Sequence, residues 1–207
     1  MSAGNIYEAL DSVVRAFEDL GIRYRIGGSV ASSAYGIARA TLDVDLVADF
    51  GENQVHSFVD RIREWYYVDE DRVRDAIARR SSFNIIHLES MIKVDVFIMN
   101  PHPYDQDAFA RARLEKLEES ESSRRHYLSS PEDVILNKLG WYRQGGCGSE
   151  RQWNDVLGVL KVQQSSLDWE YLGRWAGELH LADLLSRALK DAGIDRSQGP
   201  SCSIGAD

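Results

Sequence analysis

Two short runs of the chain alternate apolar and polar residues: Thr41-Leu42-Asp43-Val44-Asp45-Leu46-Val47 and Ile92-Lys93-Val94-Asp95-Val96-Phe97-Ile98. A period of two predicts half-buried strands, with Leu42, Val44 and Leu46 facing the core in the first and Val94, Val96 and Ile98 in the second. Asp43 and Asp45 then share the opposite face, and Asp95 stands likewise on its own strand. Over residues 5–20 the spacing changes to that of a helix, with Ile6, Leu10, Val13, Val14, Phe17 and Leu20 recurring on one side and Gly21 as the stop. Residues 24–26 read as a strand ending in Gly27-Gly28-Ser29. Val30, Ala34 and Ile37 then fall on one helical face, with Ser29 placed to cap that helix.

Another amphipathic helix is expected over residues 53–65, and strands over 83–88 and 91–99 join at Glu89-Ser90 as an antiparallel hairpin ended by Pro101 and Pro103. A helix over 105–112 and short strands over 113–118 and 124–128, flanking the polar run 119–123, complete the first part. From Ser130-Pro131-Glu132-Asp133 the pattern is helical throughout. Ser130 caps, Pro131 suits the first helical position, and the two acids complement the positive end of the helix dipole. Helices follow near 131–143, 150–162, 168–178 and 180–192, on which Trp141, Trp153, Trp169 and Trp175 serve packing. The break Gln144-Gly145-Gly146-Cys147-Gly148 lacks the Gly-Lys-Ser/Thr of a phosphate-binding loop and reads as a connector. The division is a core over 1–129, a helical region over 130–194 and a frayed tail over 195–207.

Composition narrows the class. The chain has 207 residues, 43% apolar and 28% charged, the profile of an ordinary globular protein with one substantial core. No apolar stretch nears the roughly 20 residues that span a bilayer, so a cytoplasmic protein with no membrane partner is the default. Cys147 and Cys202 lie far apart and the five histidines are scattered, which sets aside disulfide scaffolds and zinc spacing. A net charge of −9 opposes broad adhesion to nucleic acid, although Arg72, Arg74, Arg79, Arg80, Arg124 and Arg125 are available for a local basic groove.

The three aspartates carry the chemistry. Carboxylates grouped on exposed faces of apolar strands repel one another unless a cation sits among them, and a divalent metal is the natural one. A glycine turn between strand and helix leaves backbone N–H groups at the positive end of the helix dipole, a cradle for phosphate. Gly27-Gly28-Ser29 precedes the strand of Asp43 and Asp45, so the two features fall at neighbouring strand ends. The structural alternatives are an acidic strand edge for Asp43 and Asp45, and for Asp95 a pair with Lys93, two residues away on the same face.

Ile26-Gly27-Gly28-Ser29, then Asp43-Val44-Asp45, then Asp95 together resemble the signature of the DNA polymerase β-like nucleotidyltransferase superfamily, with a long gap between Ser29 and Asp43. Arg39-Ala40-Thr41 before the paired aspartates, and Lys138 on the helix after Ser130-Pro131-Glu132-Asp133, are similar to minimal bacterial nucleotidyltransferases of the AbiEii toxin kind. The resemblance covers residues 5–162 and implies an α+β fold: a nucleotidyltransferase-like mixed sheet with flanking helices, followed by a C-terminal helical bundle. It implies that Asp43 and Asp45 hold magnesium on a nucleoside triphosphate, and that Asp95 joins them at a second metal, with manganese as an alternative ion, and takes the acceptor proton. Gly27, Gly28, Ser29, Arg39, Lys138 and Asp155 become nucleotide-binding residues. The implied acceptor is a hydroxyl of RNA, protein or a small molecule. The AbiEii likeness leans toward a toxin-like role with tRNA or protein as target and an antitoxin partner. On this reading the carboxylates of Asp43, Asp45 and Asp95 converge within reach of one ion. The other classes weighed are an inert nucleotide-binding module of the same fold and a haloacid dehalogenase-like hydrolase, for which the glycine turn and helix are misplaced.

Overall fold

The computed structural model describes residues 4–41, 43–117 and 124–194. Its strands are β1 (Arg23–Ile26), β2 (Asp43–Asp49), β3 (Tyr66–Tyr67), β4 (Ser82–His87), β5 (Lys93–Ile98), β6 (Arg113–Lys116) and β7 (Arg125–Leu128). They form one mixed sheet in the order β3-β4-β5-β2-β1-β7-β6. β2 runs antiparallel to β1 and parallel to β5, while β4 and β5 make the expected antiparallel hairpin. β7 pairs parallel with β1 and antiparallel with β6.

The alternation read along the sequence settles which face of the central strands turns inward. Val44, Leu46 and Ala48 of β2 are fully buried, as are Val94 and Val96 of β5. They join Leu10, Val13 and Phe17 of α1 (Gly4–Asp19) and Phe58 of α3 (Val55–Ile62) in one continuous core, where the Phe17 and Phe58 rings stack at 5.1 Å. Burying each such side chain is worth about 1.5–3 kcal/mol, whereas an exposed ion pair contributes about 0–1 kcal/mol. Apolar burial therefore outweighs any charge pairing on the other face and fixes the register.

Four elements differ from the pattern's prediction. Helix α2 (Gly28–Tyr35) is capped by Gly27 with no side-chain bond, so Ser29 lies inside the helix and its hydroxyl is free for another role. The buried face of α2 is Val30, Ala31 and Tyr35, while Ala34 is exposed and Ile37 lies beyond the helix in solvent. α2 ends at Tyr35, and Gly36, which leaves the helical conformation, meets the helix α7 (Glu150–Gln163) so closely that a Cβ would stand 2.9 Å from Val159 N. Helix α4 (Glu70–Arg79) and the short β3 had no clear signal. α4 buries only Val73 and Ala76, too sparse a stripe to announce a helix, though Asp69 caps it through Asp71 N–H and Arg72 N–H at 3.1 and 3.2 Å. Pro103 opens α5 (Pro103–Ala110) instead of only ending the hairpin.

The C-terminal helices α6 (Pro131–Gln144), α7, α8 (Trp169–Glu178) and α9 (Ala182–Ala192) match the predicted stretches, and α6 and α7 both pack on α2. Trp153 and Trp175 are buried, and Trp141 lies 5.6 Å from the ring of Phe97. Ser130 caps α6 as expected. Glu132 and Asp133 go beyond complementing the helix dipole, being completely buried. Leu42, the run 118–123 and the tail 195–207 fall outside the described residues. Among the described residues no helix is long and apolar enough to cross a membrane.

Candidate active site

On the face opposite the apolar core, register places Asp45 of β2 directly beside Asp95 of β5, with Asn84 of β4 next in the same row. Asp43 stands one row along, beside Lys93. The three predicted aspartates therefore share one face and adjacent strands. Thr41 and Asp43 brace each other: the Thr41 hydroxyl donates to Asp43 O at 3.2 Å, and Asp43 N–H lies 3.4 Å from Thr41 Oγ1.

The glycine turn abuts this row. Gly27 N–H donates to Asp45 O at 2.8 Å, and Ser29 N–H reaches the Asp45 carboxylate. Gly28 has φ +54°, and a Cβ there would collide with the Asp45 carboxylate and lie only 2.8 Å from Asp45 Cβ. Two independent constraints, a left-handed backbone and a lack of space, thus demand glycine. The N–H groups of Gly27 and Ser29, at the N-terminus of α2, are thus both directed at Asp45.

On the other side of α2, residues distant in sequence meet. Arg39 donates from Nε and Nη2 to the two carboxylate oxygens of Asp155, both at 2.9 Å, and from Nη2 to Ser29 Oγ at 2.5 Å. Lys138, only 2% exposed, donates to Asp155 Oδ2 at 2.6 Å and to Gln152 Oε1 at 3.2 Å. The structure thus brings Ser29, Arg39, Lys138 and Asp155 into one cluster beside Asp45. Gln152 escaped the sequence reading. Its signal was its position three residues before Asp155, which sets both on one face of α7.

The electrostatics of the site are uneven. Burial, then the charges of Asp95 and Asp43, push the Asp45 carboxyl above its ordinary range, against the pull of Lys138 and the Ser29 N–H. Burial lowers Lys138, and the Arg39 charge adds to this, although Asp155 opposes both. For Asp155 burial acts upward, but the bonds from Arg39 and Lys138 outweigh it and hold the carboxyl below the usual range. Lys93 Nζ lies 2.7 Å from Asp95 Oδ2, and that bond raises the lysine. The pair weighed as an alternative for Asp95 is therefore present.

The expected convergence of three carboxylates on one ion is not assembled: among the described residues no group of three or more His, Cys, Asp or Glu side chains stands close enough to hold a metal. The donor chemistry nevertheless suits a hard divalent cation, and the burial and neighbouring carboxylate charges that raise Asp45 are what such a cation offsets. Of the six arginines considered for a basic groove, four stand beside acids. Arg72, Arg74, Arg79 and Arg124 are each paired with a nearby carboxylate.

No protein-family model matches the sequence, and no curated protein matches it. Solved structures do. A solution structure of the antibiotic-resistance factor ANT(2'')-Ia is 14% identical with a TM-score of 0.52, covering 93% of this chain and 98% of that one. An antigenic nucleotidyltransferase-like protein from Paracoccidioides brasiliensis is 19% identical with a TM-score of 0.54, covering 95% and 97%. Crystalline ANT(2'')-Ia in complex with adenylyl-2''-tobramycin is 13% identical with a TM-score of 0.53, covering 85% and 97%. At such identities the likeness is one of fold, and over most of its length this chain has the fold of those nucleotidyltransferases.

Proposed function

We propose that the chain is a nucleotidyltransferase that moves a nucleoside monophosphate from a magnesium-bound nucleoside triphosphate to a hydroxyl acceptor. The observation that carries this reading is the row Asp45–Asp95 beside the Gly27-Gly28-Ser29 turn, with two cations, Arg39 and Lys138, gathered at the same helix end. Asp43, Asp45 and Asp95 are the residues to hold the metal, which when bound neutralises the phosphate oxygens and polarises the α-phosphate. The positive end of α2 at Gly27, Gly28 and Ser29, with the Ser29 hydroxyl, orients the β and γ phosphates, and Arg39 and Lys138 balance their charge. Asp155 positions both cations by hydrogen bonds to each. Asp95, at the end of the row away from the turn, accepts the hydroxyl proton.

The shared fold supports this reading, and one of the matching structures holds adenylyl-2''-tobramycin. Its test is transfer of label from ATP carrying an α-phosphate label, with release of pyrophosphate. Wild type transfers; Asp43→Ala and Asp45→Ala do not. Transfer that survives both substitutions places the chemistry elsewhere, and absence of magnesium-dependent nucleotide binding by calorimetry supports an inert module of this fold. The tRNA or protein target implied by the AbiEii resemblance predicts label in the macromolecular fraction of a lysate.

A further inference from the structure

A cleft of about 330 Å³ opens beside the carboxylate row, walled by Arg72, Asp75 and Ala76 of α4 and by Ser82 and Asn84 of β4, and it reaches Asp95. Across the sheet the order is glycine turn, Asp45, Asp95, Asn84. The cleft and the phosphate cradle therefore lie on opposite sides of the carboxylates. Displacement at phosphorus places the attacking and leaving oxygens roughly in line. A triphosphate whose β and γ phosphates rest on the turn sends its leaving group that way, so the acceptor approaches from the cleft.

The walls describe that acceptor. Arg72 and Asp75, three residues apart on α4, share a helix face and present opposite charges to one space. Their present partners, Asp69 at 3.5 Å and Arg79 at 2.7 Å, are exposed pairs, which are weak and exchange readily for ligand groups. Ser82 and Asn84 add short polar groups suited to hydroxyls. The volume is at the low end of small-molecule pockets, which run from about 300 to 1,000 Å³.

We propose that this cleft is the acceptor site and that it takes a small hydroxylated zwitterion of amino-acid type, its carboxylate on Arg72, its ammonium on Asp75 and its hydroxyl at Asp95. The assignment rests on the nucleotidyl-transfer reading above. The acceptor oxygen forms a bond to the α-phosphorus, the bond from that phosphorus to the oxygen bridging to the β-phosphate breaks, pyrophosphate leaves, and the hydroxyl proton passes to Asp95 and on to solvent.

The test uses the full chain with magnesium and ATP labelled at the α-phosphate, offered L-serine, L-threonine and L-tyrosine beside myo-inositol, tobramycin and total RNA. Label is expected on at least one of the amino acids. Its kcat/KM falls tenfold or more in Arg72→Ala, in Asp75→Ala and in Ser82→Trp, whose exposed position lets the ring fill the cleft, while magnesium–ATP affinity by calorimetry stays within twofold of wild type. Label confined to inositol, tobramycin or RNA overturns the assignment, as does amino-acid transfer indifferent to the three substitutions. A wild type that binds magnesium–ATP but labels none of the amino acids overturns this inference and leaves the nucleotide reading standing. A wild type that binds no magnesium–ATP overturns both.

Discussion

Glu132 and Asp133 at the start of α6 are wholly buried, yet each is met by donors. The Ser130 and Tyr171 hydroxyls donate to Asp133 at 2.7 and 2.8 Å, and Asp168 N–H donates to Glu132 at 2.8 Å, with Arg111 3.3 Å from the same carboxylate. Asp43, Asp45 and Asp95 are less buried but less well compensated: Asp95 has Lys93, while Asp45 has one backbone N–H, that of Ser29, and the charge of Lys138, which is itself bonded to Asp155. Both groups of acids follow from local sequence, and both are costly to remove from water. The difference is in the partners. Acids held mainly by the chain's own donors join its architecture, even with Glu132 Oε2 left without a hydrogen bond, whereas acids crowded on one face of adjacent strands mark where a cation from outside belongs.

The sharpest way to break this contrast is to remove one acid from each group. Asp45→Asn is expected to lower nucleotidyl transfer by about 10³-fold or more, about 4 kcal/mol of barrier, in a pyrophosphate-release assay. The same change is expected to raise the melting temperature by a few degrees at neutral pH without divalent ions. The Asp45 carboxyl sits above its ordinary range in the folded chain, so its ionised form costs stability as pH rises through that window, and asparagine has no such cost. Asp133→Ala does the reverse: it leaves the Tyr171 hydroxyl and Ser130 without their buried acceptor, for a loss of about 3 kcal/mol in denaturant unfolding. If both substitutions destabilise the chain alike, the distinction between the two groups fails.

Gly28→Ala tests the close approach of turn and carboxylate. A methyl at φ +54° against Asp45 is expected to cost about 1–2 kcal/mol of stability and to reduce transfer by about 100-fold through displacement of that side chain. Asp155→Asn addresses the cations. With their shared acceptor weakened, the nucleotide KM is expected to rise about tenfold with kcat less affected, the mark of a positioning residue. The same variant has a pH signature. Because Asp155 is held below the ordinary carboxylate range, its stabilising contribution is complete above that range and is lost as pH falls through the depressed value. The asparagine variant is therefore expected to show a shallower loss of melting temperature on acidification.

The smallest effect sharpens the reading of Asp95. Lys93→Ala removes a half-exposed pair and is expected to change stability by no more than about 0.5 kcal/mol. It should also tighten apparent magnesium affinity severalfold, measured by titration of the transfer rate, because the lysine and the metal compete for one carboxylate. A weaker magnesium requirement for wild type than for the variant would instead assign Lys93 a supporting role.

Much of the fold was legible because apolar periodicity carries most of the folding energy. The strands of Asp43 and Asp95, α1 and the four C-terminal helices followed from spacing alone. α4 was not legible, since a helix that buries only Val73 and Ala76 leaves almost no periodic trace. The cap assigned to Ser29 was wrong for a different reason. Gly27 and Gly28 let the chain turn two residues earlier, which carried the serine inside α2 and turned its hydroxyl toward Arg39. Arg39, Lys138 and Asp155 came forward from the resemblance, but their mutual contacts span up to 116 residues of chain and have no local signature.

By itself the sequence determined that Asp43 and Asp45 stand on one face and Asp95 on the matching face of another strand, because alternation against a core admits only one inward side. It also required a glycine turn beside them. Only the tertiary structure decided that β2 and β5 are parallel neighbours with Asp45 beside Asp95, that Asp155 gathers Arg39 and Lys138 at the same helix end, and that α4 and β4 leave a charged cleft at Asp95. Side-chain period is a property of successive residues, and the chain carries it wherever it folds. Which strands adjoin, and which distant charges meet, is set by the packing of whole elements, and no short window of sequence contains it.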